Sequence, residues 1–137
     1  MKTRELFTGR YYSLPRDKLI YLATPYSTPL YPLSRRSELL NERYELTLEV
    51  CGNMLRRGFI VYSPIVHWHP VAVKYRFRKD HKFWSKIDNT MINLCSVVFV
   101  HPLSLGLSVF NSEGVIKDIS FARYLSKDVV VPCPKDA

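Results

Sequence analysis

The chain has 137 residues, of which 47% are hydrophobic and 23% charged, and its formal net charge is +8 at pH 7. This size and composition are typical of one folded domain and exclude a low-complexity chain, and no apolar stretch approaches the roughly 18 residues of a membrane span. The positive charge favours an anionic partner, which could be a nucleotide, a nucleic acid or an acidic surface.

The first ten residues, MKTRELFTGR, carry charges where a secretory signal needs an apolar run. We therefore expect a cytoplasmic protein with an N-terminal extension over residues 1–17 and a single domain over residues 18–137. The three cysteines, Cys51, Cys95 and Cys133, form no CxxC pair and are expected to be free thiols.

Apolar runs alternate with helical periodicity along the domain. In chain order, the pattern predicts a strand at 18–23, a helix at 35–57, a strand at 59–65, an irregular loop in VHWHPVAV, a helix at 80–95 with Asp80 as its N-cap, a strand at 96–102, a helix after Asn111 or Ser112, and a strand at 128–134. Continuous apolar strands between helices predict an α/β fold, a doubly wound parallel sheet of four to five strands with helices on both faces.

Ligands of such sheets bind beyond the carboxyl ends of the strands. The segments expected there are TPYSTP, which contains Ser27, then SPIVHWHP, HPLSLGLSVFNSEG and the tail after Val131. Compact domains favour shorter connections, so the length of these loops indicates a binding function.

The helix that follows Ser112 carries a carboxylate beside its apolar stripe. On a helical wheel Ile119 and Ala122 lie near Val115, and Asp118 lies about 60° to one side. Its side chain is expected to lean over Gly114, where no side chain obstructs it. The alternative is a solvated residue that compensates the positive end of the helix.

The histidines and Trp84 also have two interpretations each. His67 and His69, which flank Trp68, suit contacts to a nucleobase, but they could be ordinary loop histidines, and an isolated H-x-H pair is weak support for a metal site. Trp84 has the spacing of a core residue, and if it borders a pocket, Asp88 one turn later does too. Otherwise Asp88 is solvated.

Several motifs occur together in a specific order. They are IYLATPYS, the helical segment from Arg43 to Gly58, YSPIVHWHP, the segment DHKFWSKID that ends at Asp88, and SEGVIKDI from Ser112 to Ile119. This set resembles the nucleoside 2-deoxyribosyltransferase superfamily, and most closely a branch of uncharacterised domains called DUF1937, common in phage and bacterial genomes and related to nucleoside 5′-monophosphate N-glycosidases.

The resemblance implies a flavodoxin-like or Rossmann-like domain, usually a homodimer or higher oligomer without cofactor or metal, that cleaves or exchanges the N-glycosidic bond of a nucleoside or nucleotide. It implies that Asp118 is the nucleophile, that Tyr21 orients it, and that Asp88 contacts the leaving base and relays its proton. Ser112 would hold a 5′-phosphate, and the substrate-binding set would also include Gly114, His67, His69, Ser27 and Trp84.

Two residues depart from the family pattern. Asp118 stands where the family has glutamate, which shortens the side chain by about 1.5 Å, and Ser96 stands where the branch usually has aspartate. Three functions are compatible with the sequence: a hydrolase or transferase, a catalytically silent nucleotide-binding module, and a nucleic-acid-binding protein that uses the basic and aromatic segment KYRFRKDHK. This segment could equally be a solvated surface loop.

Overall fold

The structure is a computed structural model that describes residues 14–26, 36–77, 81–103 and 112–131, with only the backbone described for residues 81 and 82. The described ranges contain β1 (Leu19–Ala23), α1 (Arg36–Arg56), β2 (Ile60–Tyr62), α2 (Pro64–Tyr75), α3 (His81–Leu94), β3 (Val97–Val100), α4 (Glu113–Tyr124) and β4 (Asp128–Val130). Each predicted strand and helix is present, but the strand predicted at 59–65 is limited to Ile60–Tyr62, because the additional helix α2 begins at Pro64. No helix in these ranges has both the length and the apolar character needed to cross a membrane.

The four described strands form one parallel sheet in the order β2-β1-β3-β4. In the register of the sheet, Tyr21 of β1 pairs with Tyr62 of β2 on one side and with Val98 of β3 on the other. The predicted doubly wound α/β fold is thereby confirmed. The strand order reverses between β1 and β3, and in open α/β sheets the crevice at the carboxyl ends of two such strands is the usual ligand site.

Alternate residues of the strands face opposite sides of the sheet. Ile20 and Leu22 pack in one core cluster with residues of α1 such as Val50 and Met54. Tyr21 and Ala23 belong to the other cluster, whose remaining members are Ile92, Cys95, Val98, Val100, Val115, Ile119 and Ala122. Tyr21 therefore faces α3 and α4, the two helices that carry Asp88 and Asp118.

The loop predicted in VHWHPVAV is wrong, because this segment lies within the helix α2. Ser63 caps the start of α2, and its side chain accepts a hydrogen bond from the backbone N–H of Val66 at 3.2 Å. Pro64 occupies the first turn, where backbone N–H groups have no partner within the helix and the missing N–H of proline is not needed. Pro70 lies inside the helix and removes one backbone hydrogen bond. Packing of α2 against α1 offsets that loss, and Arg76, whose φ is 57°, caps the end of the helix.

Candidate active site

Tyr21 lies at the centre of the sheet and is completely buried. Its hydroxyl donates a hydrogen bond to Oδ2 of Asp118 at 3.2 Å, and its ring centroid lies 5.9 Å from that of Tyr62. Burial, followed by the nearby charges of Asp118 and Asp88, raises the pKa of the Tyr21 hydroxyl well above its usual value. The hydroxyl therefore stays protonated at neutral pH and acts as a donor.

Asp118 lies on the buried face of α4, with an exposed fraction of only 6%. This excludes the alternative of a solvated residue at the border of the helix. Within the described ranges, Oδ2 has Tyr21 as its partner while Oδ1 accepts no hydrogen bond. A buried carboxylate oxygen without a partner is energetically costly, and such costs concentrate at functional sites.

Asp88 is buried on α3 near the same tyrosine and carboxylate. Burial raises its pKa from 3.8 to about 7. The pKa of Asp118 is raised well above its usual value, first by burial and then by the charge of Asp88, while the hydrogen bond from Tyr21 acts in the opposite direction. Because the charge of Asp88 disfavours ionisation of Asp118, the two buried carboxyl groups resist double ionisation near neutral pH.

The start of α4 is formed by two of the predicted substrate-binding residues. Ser112 is the N-cap, and its buried hydroxyl accepts a hydrogen bond from the backbone N–H of Val115 at 3.4 Å. Gly114 is the second helical residue and lies one turn before Asp118. Ser112 and Gly114 thus form the first turn of α4, a helix end that favours anions, and Asp118 lies one turn beyond Gly114. Ser27 and Asp80 lie outside the described residues.

The two histidines of HWHP do not lie together. Because each residue advances the helix by about 100°, side chains two positions apart point in directions that differ by about 200°. His67 is exposed, with its ring 6.1 Å from that of Tyr62, whereas His69 is buried, hydrogen-bonded through Nδ1 to the Tyr26 hydroxyl and stacked 4.5 Å from the ring of Tyr44. Among the described residues no group of three His, Cys, Asp or Glu side chains could hold a metal ion.

A line of aromatic rings connects Tyr21 to the start of α3. Tyr62 accepts a hydrogen bond from Nε1 of Trp68 at 3.0 Å, and the ring of Trp68 lies 5.0 Å from that of Trp84. Trp84 is buried and precedes Asp88 by one turn of α3. Tyr62 and Trp68 were not predicted as site residues, although pairing β1 with β2 in register would have placed Tyr62 beside Tyr21.

His101 follows β3 at the edge of the sheet where ligands are expected, but it lies toward the other core. It is completely buried, its ring is 6.1 Å from that of Phe99, and its Nδ1 accepts a hydrogen bond from the backbone N–H of Leu103 at 2.9 Å. Burial lowers its pKa to about 3. His101 is therefore neutral and supports the turn at Leu103, whose φ is 70°.

A family model described as "Domain of unknown function (DUF1937)" matches residues 18–132. The matched range includes β1, α3 and α4, and therefore Tyr21, Asp88 and Asp118. Among proteins with curated descriptions, none shows significant sequence similarity to the chain.

Proposed function

The chain belongs to the DUF1937 family, and we propose that it cleaves the N-glycosidic bond of a nucleoside or nucleoside 5′-monophosphate, by hydrolysis in preference to transfer. The observation that carries this proposal is the buried contact of 3.2 Å between Tyr21 and Asp118, with the carboxyl group of Asp88 close to both. The motif similarity to the nucleoside 2-deoxyribosyltransferase superfamily supports the same chemistry.

The reaction needs two acidic groups with different roles. The carboxylate of Asp118 attacks the anomeric carbon, forming a glycosyl ester as the bond from that carbon to the base nitrogen breaks. Asp88 gives its proton to the departing base. Water then attacks the anomeric carbon, returns a proton to Asp88 and frees the Asp118 carboxylate, so the enzyme ends in its starting state.

This division of roles requires one particular protonation state of the pair. The reactive form has a charge on Asp118 and a proton on Asp88, and it is one tautomer of the singly protonated pair. Burial and the charge of Asp88 raise the pKa of Asp118, and the hydrogen bond from Tyr21 partly offsets this rise, which increases the share of the tautomer with the charge on Asp118. Because the doubly protonated and doubly ionised pairs are both inactive, the rate should have a bell-shaped dependence on pH.

A silent nucleotide-binding module is the second candidate, and the short side chain of Asp118 is the observation that favours it. Aspartate reaches about 1.5 Å less far than glutamate, and displacements of about 1 Å can cost roughly a hundredfold in rate. In this case the buried carboxyl pair would recognise a nucleotide without cleaving it.

A panel of ribonucleosides, deoxyribonucleosides and their 5′-monophosphates distinguishes the two candidates. Each compound is incubated with the wild-type protein and with Asp118→Ala, and released base is measured by chromatography alongside a thermal-shift assay. Base released by the wild type alone supports the enzyme. A thermal shift without release supports the silent module, since a ligand at 100 times its Kd stabilises a protein by about 2.7 kcal/mol. If no compound gives base release or a thermal shift, both candidate functions are contradicted.

Replacing Ser112 with alanine should affect both stability and phosphate recognition. Loss of the N-cap hydrogen bond is expected to lower the free energy of unfolding by about 1 kcal/mol, measured by urea denaturation. Ser63 caps α2 in the same way, so Ser63→Ala is the matched control for stability.

If Ser112 holds the 5′-phosphate, Ser112→Ala will also raise KM for monophosphates while leaving KM for the nucleosides nearly unchanged. Ser63→Ala will change neither value. Equal effects of Ser112→Ala on both substrate classes would remove the phosphate contact from the proposal.

A further inference from the structure

Three exposed aromatic side chains lie together where α2 ends and α3 begins. Tyr75, Phe77 and Phe83 have exposed fractions of 61%, 43% and 42%, and we refer to them as the aromatic surface. The rings of Tyr75 and Phe77 are stacked at 6.0 Å, and those of Phe77 and Phe83 are 5.9 Å apart. Aromatic rings grouped on an exposed surface usually mark an interaction site.

The charge around the aromatic surface indicates the class of partner. The sequence from Ser63 to Ile87 contains six basic residues, Lys74, Arg76, Arg78, Lys79, Lys82 and Lys86, against a single acidic residue, Asp80. The formal charge of this segment is therefore 6 − 1 = +5, which is most of the net charge of +8. Among these, Lys74 lies over the ring of Tyr75 at 5.7 Å. A second copy of the chain docked symmetrically here would present the same positive charge, so an anionic partner is favoured.

The aromatic surface is connected to the candidate active site by contacts between aromatic rings, some of them buried. The ring of Phe83 lies 4.7 Å from that of Trp84, and that of Phe77 lies 6.4 Å from it. From Trp84 the line of rings continues through Trp68 and Tyr62 to Tyr21. A ligand with several aromatic groups on an anionic backbone fits this arrangement, whereas a single nucleotide would leave the outer rings uncovered.

We propose that the aromatic surface binds single-stranded nucleic acid, with bases stacked on its rings and phosphates contacted by the neighbouring basic residues Lys74, Arg76 and Lys86. Every base offers a face for stacking, so such binding tolerates different sequences, and it disfavours duplexes because their bases are already stacked. RNA differs from DNA by the 2′-hydroxyl of its sugar. Stacking on the aromatic surface does not require this hydroxyl, so the proposal includes both RNA and DNA. Binding of this kind needs no chemistry at Asp118 and does not depend on the proposed enzymatic activity.

Fluorescence anisotropy with labelled oligo(dT) and oligo(U) of about 12 nucleotides tests this proposal against a duplex of the same length. At least one of the two single strands should bind more tightly than the duplex. With about three phosphates contacted, raising the salt from about 50 to 200 mM should weaken binding roughly 20-fold. Phe77→Ala should weaken it at least about fivefold through lost stacking, and Lys74→Glu should also weaken it.

Tyr124→Ala is the matched control, since Tyr124 is an aromatic residue on α4 with an exposed fraction of 81%. This variant should bind oligonucleotides as the wild type does. Circular dichroism establishes that each variant is folded. Preference for the duplex, indifference to salt, or wild-type affinity in Phe77→Ala would overturn the proposal. So would sedimentation data in which Phe77→Ala dissociates a dimer without changing oligonucleotide binding, because the aromatic surface would then be a subunit interface.

Discussion

Replacement of Asp118 by asparagine is expected to lower the rate of base release by at least about 1000-fold, because the amide cannot form the glycosyl ester. Asparagine retains the size of the side chain and an oxygen that can accept the hydrogen bond from Tyr21, so the folded structure should be preserved. The rate is measured under single-turnover conditions on the best substrate of the panel. KM should change much less than kcat, because the lost interaction forms during the reaction.

Two further variants separate a nucleophile from a residue that only binds substrate. Asp118→Glu lengthens the side chain by about 1.5 Å and keeps the carboxylate, so it should retain measurable activity. Tyr21→Phe removes the donor to Asp118 without removing the carboxylate, so it should be slower than the wild type and faster than Asp118→Asn. Base release by Asp118→Asn at the wild-type rate would exclude the mechanism.

Replacement of Asp88 by asparagine is expected to stabilise the protein at pH 8 and not at pH 4. The pKa of Asp88 is raised from 3.8 to about 7 by burial. Below pH 3.8 the side chain is protonated in both the folded and the unfolded state, so its contribution to stability is fully present. As the pH rises toward 7 the unfolded state ionises first, and stability is lost. Since each pKa unit corresponds to 1.36 kcal/mol, the expected gain at pH 8 is on the order of a few kcal/mol.

Urea denaturation from pH 4 to pH 8 measures this effect in the wild type and in Asp88→Asn. Asp128, an exposed aspartate of β4, supplies the matched control, because Asp128→Asn removes the same charge from the surface. The curves of the wild type and Asp128→Asn should remain nearly parallel, while that of Asp88→Asn should diverge upward above about pH 5. Parallel curves for all three proteins would mean that Asp88 ionises as freely in the folded chain as in the unfolded one. Such a result would remove the general acid from the mechanism.

The sequence alone was sufficient to predict the sheet and the helix that carries Asp118. Apolar runs around Tyr21 and Val98 predict buried strands, and the spacing of Val115, Ile119 and Ala122 predicts the buried face of a helix. Parallel strand order then brings the ends of β1 and β3 to one edge of the sheet. The contact between Tyr21 and Asp118, which are 97 positions apart, followed from the family resemblance and not from local pattern.

Other features depend on tertiary contacts that no local pattern contains. α2 includes Pro70, which local propensity opposes, yet its packing against α1 maintains the helix. The buried position of His69 depends on its contacts with Tyr26 and Tyr44, which come from two different parts of the chain. The place of Tyr62 beside Tyr21 depends on the register of two strands, which a single sequence does not specify.

The most direct test of Asp118 as the nucleophile is to look for the covalent intermediate. The protein is mixed with its best substrate, quenched with acid during turnover, digested, and analysed by peptide mass spectrometry. The proposed mechanism predicts a peptide containing Asp118 whose mass is increased by one glycosyl group, and no such increase in Asp118→Asn. A glycosyl group on the peptide that contains Asp88, with the Asp118 peptide unmodified, would contradict the assignment of the two carboxyl groups.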